Sequence, residues 1–289
     1  MKTFSTEPRS ERLRPVPCAL CGSESFALRW DCGSFAFVRC RECSLVQQNP
    51  QSEPSEVASR YGESYLEYEA ANQFAYRDLE LLALADLGIA GPAESSPQAK
   101  DARRALDIGC ATGALLDALR GKGWEPQGVE ICAPAAEYGR RRFGLPIHTG
   151  TLESASFPSA SFGLVHASHL IEHLNDPFAF LLEARRLLAP GGRLVLTTPN
   201  ADGFQPRALG PAWRSAIFDH LYLFSLATLA SLLAKAGFTI ERSVTWGGWA
   251  KGQRPAFAKP VLDRLAKILG AGDVCAVSAR HLGAPRFRT

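Results

Sequence analysis

The chain has 289 residues, of which 46% are hydrophobic and 21% charged, a composition typical of a globular protein with a sizeable core. Its 32 basic and 29 acidic residues nearly balance, so the charge does not favour a protein that holds nucleic acid mainly through phosphates. No apolar run approaches the roughly 18 residues of a membrane span. Residues 1–17 are polar and lack the apolar region of a signal peptide, so we expect a flexible N-terminus and a cytoplasmic protein.

Five of the eight cysteines fall within residues 18–43. Four of them form two C-x-x-C pairs, Cys18, Cys21, Cys40 and Cys43. This spacing is typical of a four-thiolate zinc site, because each pair turns two sulfurs towards one tetrahedral ion; disulfides or unliganded thiols are the alternative. We therefore predict a zinc ribbon over residues 18–50, with Gly22 in its first turn and Cys32 as a spare thiol.

Residues 51–100 are predicted to form a helical segment followed by a linker, since Gly91–Pro97 is rich in glycine, proline and serine. Tyr61, Tyr65 and Tyr68 follow the i, i+4, i+7 spacing of one helical face. Two interpretations stay open. The tyrosines either form a lid over a bound ligand or pack the helix against the core.

A glycine-containing loop follows, in the stretch LDIGCATG at residues 106–113. A short strand ends in this stretch, and residues 114–120 have a helical pattern, so the glycines form a strand–loop–helix turn that a small molecule can approach closely. The spacing matches neither the dinucleotide fingerprint nor the phosphate-binding P-loop. Asp107 precedes the turn, and Glu130 ends the next predicted strand, where a carboxylate can accept both hydroxyls of a ribose.

Helical and strand patterns alternate through the rest of the chain, which predicts an α/β fold with a mainly parallel sheet and helices on both faces. The predicted helices are 134–142, 177–188, 225–236 and 261–269; the predicted strands are 145–148, 161–167, 193–198, 238–244 and 273–279. Pro190–Gly192 is predicted as a turn before the strand at 193. A ligand should lie at the carboxyl ends of the strands, where the strand order reverses.

Five stretches carry a family resemblance. LDIGCATG and the later GVEI resemble motif I and the ribose-binding motif of class I S-adenosylmethionine-dependent methyltransferases, which have a Rossmann-like sheet. CALCGSESF and RCRECSLVQQNP resemble the N-terminal zinc segment of a bacterial group of these enzymes that includes sugar C-methyltransferases. HLIEHLNDP at residues 169–177 resembles the pattern H-x-x-E-H-x-x-D-P of the same group. The resemblance implies S-adenosylmethionine and zinc as cofactors.

The family resemblance also implies a set of cofactor-binding residues. These are Tyr65, Asp107, Gly109, Cys110, Ala111, Gly113, Glu130, Ile131, Thr151, Leu152 and Ser168. The sequence departs from the family at Thr151, where an aspartate usually binds the adenine amino group. A threonine hydroxyl accepts a weaker hydrogen bond, so cofactor affinity should depend more on Glu130 and the glycine loop.

Methyl transfer from a sulfonium needs an acceptor held in line and, where the acceptor carries a proton, a base. His169 directly follows a predicted strand and is one candidate base; its alternatives are contact with substrate or cofactor, or a structural hydrogen bond. His220 is the other candidate base. It lies in a segment that resembles the H-L-Y-x-F-S of the same group, which follows an insertion that enters the acceptor pocket, here at about 200–224. The alternative is that His220 caps the helix that begins at Ser225. H-x-x-E-H lacks the spacing of the helical metal motif H-E-x-x-H, so we predict no metal there.

Trp213, Trp246 and Trp249 either stack on a ring of the acceptor or pack in the core. The sequence as a whole predicts a methyltransferase domain over 101–289 that methylates an oxygen or carbon of a small acceptor, such as a sugar or secondary metabolite in natural product biosynthesis. One alternative is an RNA-base methyltransferase with a zinc module, disfavoured by the balanced charge. Another is a non-catalytic, cofactor-binding scaffold protein. We expect no nucleic-acid or membrane partner.

Overall fold

The computed structural model describes residues 13–53, 60–92, 100–247 and 259–281, without the side chains of 100–101 and 259–263. Most of the predicted flexible N-terminus and Trp249 lie outside these ranges. Within them, no helix combines the length and the apolar character needed to cross a lipid bilayer.

The N-terminal module is built around an antiparallel sheet. Its strands are β1 (Leu13–Arg14), β2 (Phe26–Asp31), β3 (Ala36–Cys40), β4 (Val46–Gln48) and β5 (Gln51–Ser52), with β1 and β5 paired apart from the others. The fourth strand of the larger sheet comes from a distant part of the chain. It is β11 (Tyr222–Leu223), which lies in the predicted acceptor-pocket insertion and pairs with β4. The cysteine-containing module and the insertion therefore share one sheet.

Helix α1 spans Glu63–Asp86 and confirms the helical prediction for this segment. Its last turns bury Ala83 and Leu84 in a cluster with Leu115 and Leu119. Near its start, the rings of Tyr61 and Tyr65 meet edge to face with centroids 5.1 Å apart. Tyr68 instead pairs its hydroxyl with that of Tyr76 at 2.6 Å. The C-terminal half of the helix therefore packs on the core, and Tyr61 and Tyr65 are half-buried at its other end.

The central sheet has seven strands in the order β12-β13-β10-β9-β6-β7-β8, and β13 runs antiparallel to both of its neighbours. These strands are β6 (Arg104–Ile108), β7 (Glu125–Glu130), β8 (Ile147–Thr149), β9 (Phe162–Ser168), β10 (Leu188–Pro199), β12 (Phe238–Trp246) and β13 (Val274–His281). The helices after α1 are α2 (Ala114–Gly121), α3 (Ala133–Phe143), α4 (Pro177–Leu187), α5 (Phe204–Leu209), α6 (Leu226–Lys235) and α7 (Lys259–Ile268). This confirms the predicted Rossmann-like architecture, and the strand order reverses where β6 and β9 lie side by side.

Neighbouring residues of a strand belong to different clusters of the hydrophobic core. Leu106 and Leu196 belong to one cluster, whereas Ala105 and Val195 belong to another. Because successive side chains of a strand point to opposite faces, the sheet is covered by apolar contacts on both sides. Helix starts agree with the sequence at α4, where the Asp176 carboxylate accepts hydrogen bonds from the first-turn N–H groups, with Pro177 as the first helical residue.

The prediction of a turn at Pro190–Gly192 was wrong. These residues lie inside β10, which starts at Leu188 and shifts its register against β9 between Leu188 and Arg193. Gly191 has a φ of +81°, a conformation that glycine adopts without a steric penalty, so the strand continues through an irregularity instead of starting after a turn.

Candidate functional site

The glycine loop connects β6 to α2 at the carboxyl edge of the sheet. Gly109 and Gly113 have φ values of +74° and +78°, in the left-handed region. A Cβ on Gly113 would lie 3.0 Å from Leu145 Cδ1 and 3.1 Å from Ile147 Cδ1. Gly113 is therefore required both by the turn and by the close packing of the loop against the strand that follows α3.

Glu130, the last residue of β7, holds this loop. Its side chain is buried, and Oε2 accepts a hydrogen bond from Ala111 N at 2.8 Å while Oε1 accepts one from Cys132 N at 2.8 Å. Burial raises the pKa of Glu130, and these two N–H groups oppose that shift. Each carboxylate oxygen keeps a second lone pair, so the group can still accept hydrogen bonds from a ligand.

The other predicted cofactor residues lie around Glu130 with different accessibilities. Tyr65, on α1, is close enough for the charge of Glu130 to add to burial in raising its pKa. Ile131 is exposed, whereas Cys110 and Leu152 are buried. The hydroxyl of Thr151 accepts a hydrogen bond from Ser154 N at 3.3 Å, which stabilises the turn after β8.

A cluster that the sequence did not predict lies beneath the loop. His166 Nδ1 is 2.7 Å from Asp107 Oδ1, and its Nε2 is 3.2 Å from Glu80 Oε2. Glu80, from α1, also accepts a hydrogen bond from Ser168 Oγ at 2.5 Å. Burial disfavours a charged imidazole, but the two carboxylates outweigh it and raise the pKa of His166 to about 10. The predicted Asp107 and Ser168 are thus tied to α1 by two residues that no motif indicated.

This cluster predicts a pH dependence of stability. Because the pKa of His166 rises from 6.5 to about 10 on folding, the stabilisation is fully present below pH 6.5 and is lost as the pH rises through 10. We expect the difference in unfolding free energy between wild type and His166→Gln, measured by denaturant titration, to shrink from pH 6.5 to pH 10. His148→Gln is the control, and a difference that stays constant with pH would contradict a charged His166.

His169 follows β9 and has a left-handed backbone with a φ of +49°. Its Nδ1 lies 3.2 Å from Oε1 of the fully buried Glu172, whose Oε2 accepts a hydrogen bond from Thr198 Oγ1 at 2.9 Å. Desolvation by the surrounding protein opposes protonation of His169, yet the charge and hydrogen bond of Glu172 raise the pKa of His169. The same pairing overcomes the burial of Glu172 and lowers its pKa to about 2. The His169 side chain is 47% exposed, so a buried carboxylate supports an accessible imidazole.

His220 has a different environment. It is buried, and its Nδ1 lies 2.8 Å from Ser215 O. Burial and the neighbouring His173, whose ring centroid is 4.7 Å away, lower the pKa of His220 to about 3. Helix α6 is capped by Ser225 with Thr228, so the alternative of a capping His220 is wrong.

Glu172, His173 and His220 each offer an atom within 4.8 Å of the others, a set that could hold a metal ion. From the sequence we predicted no metal at H-x-x-E-H, because the spacing of the helical motif H-E-x-x-H is absent. The structure nevertheless brings Glu172 and His173 of this stretch together with the distant His220. Two of the tryptophans for which the sequence left stacking on the acceptor or core packing open lie within the described residues. Trp213 is 1% exposed and packs on Trp30 with ring centroids 6.2 Å apart, and Trp246 packs against the core. Core packing therefore accounts for both.

The four predicted metal ligands converge. Cys18 Sγ is 3.3 Å from Cys43 Sγ, Cys21 Sγ is 3.5 Å from Cys40 Sγ, and all four sulfurs lie within 4.8 Å of one another. Disulfide sulfurs would be about 2.05 Å apart, whereas two thiolates on a tetrahedral zinc are roughly 3.8 Å apart. Burial acts against ionisation, but the N–H groups of Cys43 and Glu42 lower the pKa of Cys40 to about 7. These residues fit a zinc ion.

A family model described as a methyltransferase domain matches residues 80–243, more than half of the chain. The chain belongs to this family. It is 31% identical over 126 residues to a ubiquinone biosynthesis O-methyltransferase of Cereibacter sphaeroides, a match that covers 41% of this chain and 51% of that protein. The match spans about half the length of that relative.

Solved structures show the same fold. A geranyl diphosphate C-methyltransferase from Streptomyces coelicolor, determined with Mg²⁺, geranyl diphosphate and S-adenosylhomocysteine, has a TM-score of 0.52 and 18% identity over 73% of this chain and 79% of its own. A methyltransferase from Archaeoglobus fulgidus has a TM-score of 0.51 and 20% identity over 74% and 98%. The chain therefore contains a methyltransferase domain with the fold of these solved structures.

Proposed function

We propose that this methyltransferase transfers a methyl group to an oxygen or carbon of a small acceptor, with a sugar or secondary metabolite as the substrate class. The observation that carries the proposal is the pairing of the exposed imidazole of His169 with the buried Glu172 beside the cofactor loop. A carboxylate behind an imidazole fixes its tautomer and strengthens it as a base, which suits a hydroxyl or an acidic C–H. The O-methyltransferase relative is consistent with an oxygen acceptor.

S-adenosylmethionine supplies an activated methyl group when it binds. In our proposal the ribose hydroxyls donate to Glu130, and the backbone of Gly109, Cys110, Ala111 and Gly113 lies against the methionine part. Tyr65 and Ile131 cover the ribose side, Thr151 and Leu152 the adenine side, and Asp107 and Ser168 lie at the methionine end.

The ribose assignment gives a direct test. Glu130→Ala removes a charged acceptor and also frees Ala111 N and Cys132 N, so we expect S-adenosylmethionine binding to weaken by about 10- to 100-fold, the equivalent of about 1.5–3 kcal/mol for hydrogen bonds to a charged group. Calorimetric titration measures this. Glu125→Ala, at the other end of β7, is the matched control. Unchanged affinity in Glu130→Ala would remove the ribose assignment.

The acceptor class has its own experiment. A screen of sugars, phenols and other small hydroxylated compounds, in which the release of S-adenosylhomocysteine is measured, should give turnover with one chemical class.

We infer zinc at the four cysteines as a structural ion, since four protein ligands leave no open position for a substrate. Turnover with RNA alone, and binding to RNA that weakens steeply with salt, would instead support the RNA-base alternative.

A further inference from the structure

Arg214 lies in the insertion at about 200–224 and is anchored by Asp273, the residue directly before β13. Its Nε donates a hydrogen bond to Asp273 Oδ2 at 3.1 Å. The Asp273 side chain is fully buried, whereas that of Arg214 is 46% exposed. Among the residues that the structure describes, Asp273 is the only hydrogen-bond partner of this guanidinium, so Nη1 and Nη2 keep four N–H groups for a ligand.

The anchor fixes the guanidinium without using its terminal nitrogens. A buried carboxylate is costly without a cation, so Arg214 stays where Asp273 holds it. Arg60 shows the contrast, because its Nη1 donates to Asp219 Oδ1 and its Nη2 to Ser52 Oγ, each at 2.9 Å. Both terminal nitrogens of Arg60 are therefore used within the protein, whereas Arg214 is held through Nε alone.

Arg214 is anchored at the same strand end as His169. Strand β10 lies between β9 and β13. On the β9 side, His169 N donates to Thr197 O at 2.8 Å; on the β13 side, Asp273 O accepts a hydrogen bond from Asn200 N at 2.9 Å. Since neighbouring strands are about 4.8 Å apart, these two anchors are roughly 10 Å apart across the sheet, at the carboxyl end of β10. A small acceptor that reaches His169 can therefore also reach Arg214.

The neighbours of Arg214 in the chain are fixed in the same region. Trp213 is buried, and Ser215 O accepts a hydrogen bond from His220 Nδ1 at 2.8 Å. The charge of Arg214 also acts on His169, since desolvation and Arg214 lower the pKa of that imidazole while Glu172 raises it. Arg214 is therefore placed beside both candidate histidines by contacts of its own segment.

We propose that Arg214 binds an anionic group of the acceptor, a carboxylate or a phosphate, through its terminal nitrogens, and that the enzyme is thereby specific for acidic acceptors. The inference rests on the proposed function and adds the charge of the substrate to it. The planar guanidinium matches two oxygens of a carboxylate or phosphate with two parallel N–H groups. Arg214 is thus a specificity-determining residue and takes no part in proton transfer.

Turnover of matched acceptors that differ in charge tests this, with release of S-adenosylhomocysteine as the measurement. The pairs are hydroxybenzoates with their ethyl esters, and hexose phosphates with the free hexoses, so that a carboxylate acceptor is told from a phosphate. In the pair that is accepted, we expect kcat/KM of the anionic member to exceed that of the neutral one by about 10- to 100-fold, the range of hydrogen bonds between charged groups. Arg214→Gln should abolish the difference mainly through KM, with the neutral member changed less than about twofold.

Two further variants make the result decisive. Arg207→Gln, which removes an exposed arginine of α5 in the same insertion, is the matched control and should keep the preference. Because Arg214→Gln leaves the buried Asp273 without its cation, Arg214→Lys is also measured; it keeps a positive charge beside Asp273 but has one nitrogen in place of the fork, so the preference should fall at least about fivefold while the protein stays folded. Unchanged affinity for S-adenosylhomocysteine by calorimetry shows that a variant is folded.

The outcomes separate this inference from the proposed function. Equal kcat/KM for the two members of a pair in the wild type, a preference for the neutral member, or a preference that survives in both Arg214 variants overturns the role of Arg214 and leaves the small-acceptor proposal standing. Turnover with none of the compounds refutes the proposed acceptor class and this inference together.

Discussion

Cys40→Ser is expected to remove the metal from the protein and to unfold its N-terminal module. Structural zinc contributes an apparent ~10–16 kcal/mol to the folding of small zinc modules, and the loss of one of four thiolates removes much of it. We expect metal analysis to fall from about one zinc per chain to almost none, and the melting temperature to drop by roughly 10 °C. Mass spectrometry under native conditions and thermal unfolding measure the two effects.

Cys32→Ser is the matched control, because Cys32 lies in the same module but outside the four-sulfur cluster. It should keep the zinc and nearly all of the stability. A wild-type protein that is folded without metal, or a Cys40→Ser variant that keeps its zinc, would contradict the zinc site.

The loss of the metal should also affect the segment that carries His220, which we propose borders the acceptor. Gln48, on β4, is fully buried; its side-chain amide donates to Phe218 O at 2.7 Å, and its backbone N–H donates to Leu221 O at 2.8 Å. These contacts flank His220, and β11 completes the sheet of the zinc module. A zinc ion held by the four sulfurs of the N-terminal module would therefore also stabilise the segment that carries His220, one of the two candidate histidines.

Several features of this protein could be predicted from local sequence patterns. Each C-x-x-C pair and the stretch LDIGCATG form a recognisable pattern within a few residues, so the sequence alone indicated both the four-cysteine cluster and the glycine loop. Glu130 could also be predicted from a local pattern, because it ends a predicted strand. The hydrogen bonds that Glu130 accepts from Ala111 N and Cys132 N could not be predicted, because they depend on how β7 ends beside the loop.

Contacts between distant parts of the chain could not be predicted. Glu80 and His166 are separated by 86 residues, and each looked ordinary in its own helical or strand pattern. The residues of β4 and β11 that pair are even further apart in the chain, and a two-residue strand such as β11 has no periodicity to recognise. The domain division into zinc ribbon, helical segment and methyltransferase domain stays a prediction, and the shared sheet shows how closely the first and last of these are connected.

His169→Ala is expected to lower turnover by about 10²- to 10⁴-fold, the usual contribution of a positioned general base, with the affinity for S-adenosylmethionine changed less than about twofold. The physical reason is the geometry of the pair: Glu172 is buried and charged, it orients His169 through Nδ1, and the accessible side of the imidazole remains free to take a proton from the acceptor. Steady-state kinetics with the acceptor from the screen measure the loss.

The pH profile separates this role from simple packing. Because Glu172 raises the pKa of His169 above 6.5, the neutral imidazole becomes abundant only above that pH, and kcat/KM should rise through an apparent pKa higher than 6.5. In Glu172→Gln that limb should move to lower pH. His281→Ala is the control, since His281 pairs with the first residue of β12 at the opposite edge of the sheet. Full activity in His169→Ala would mean that the acceptor ionises without this base.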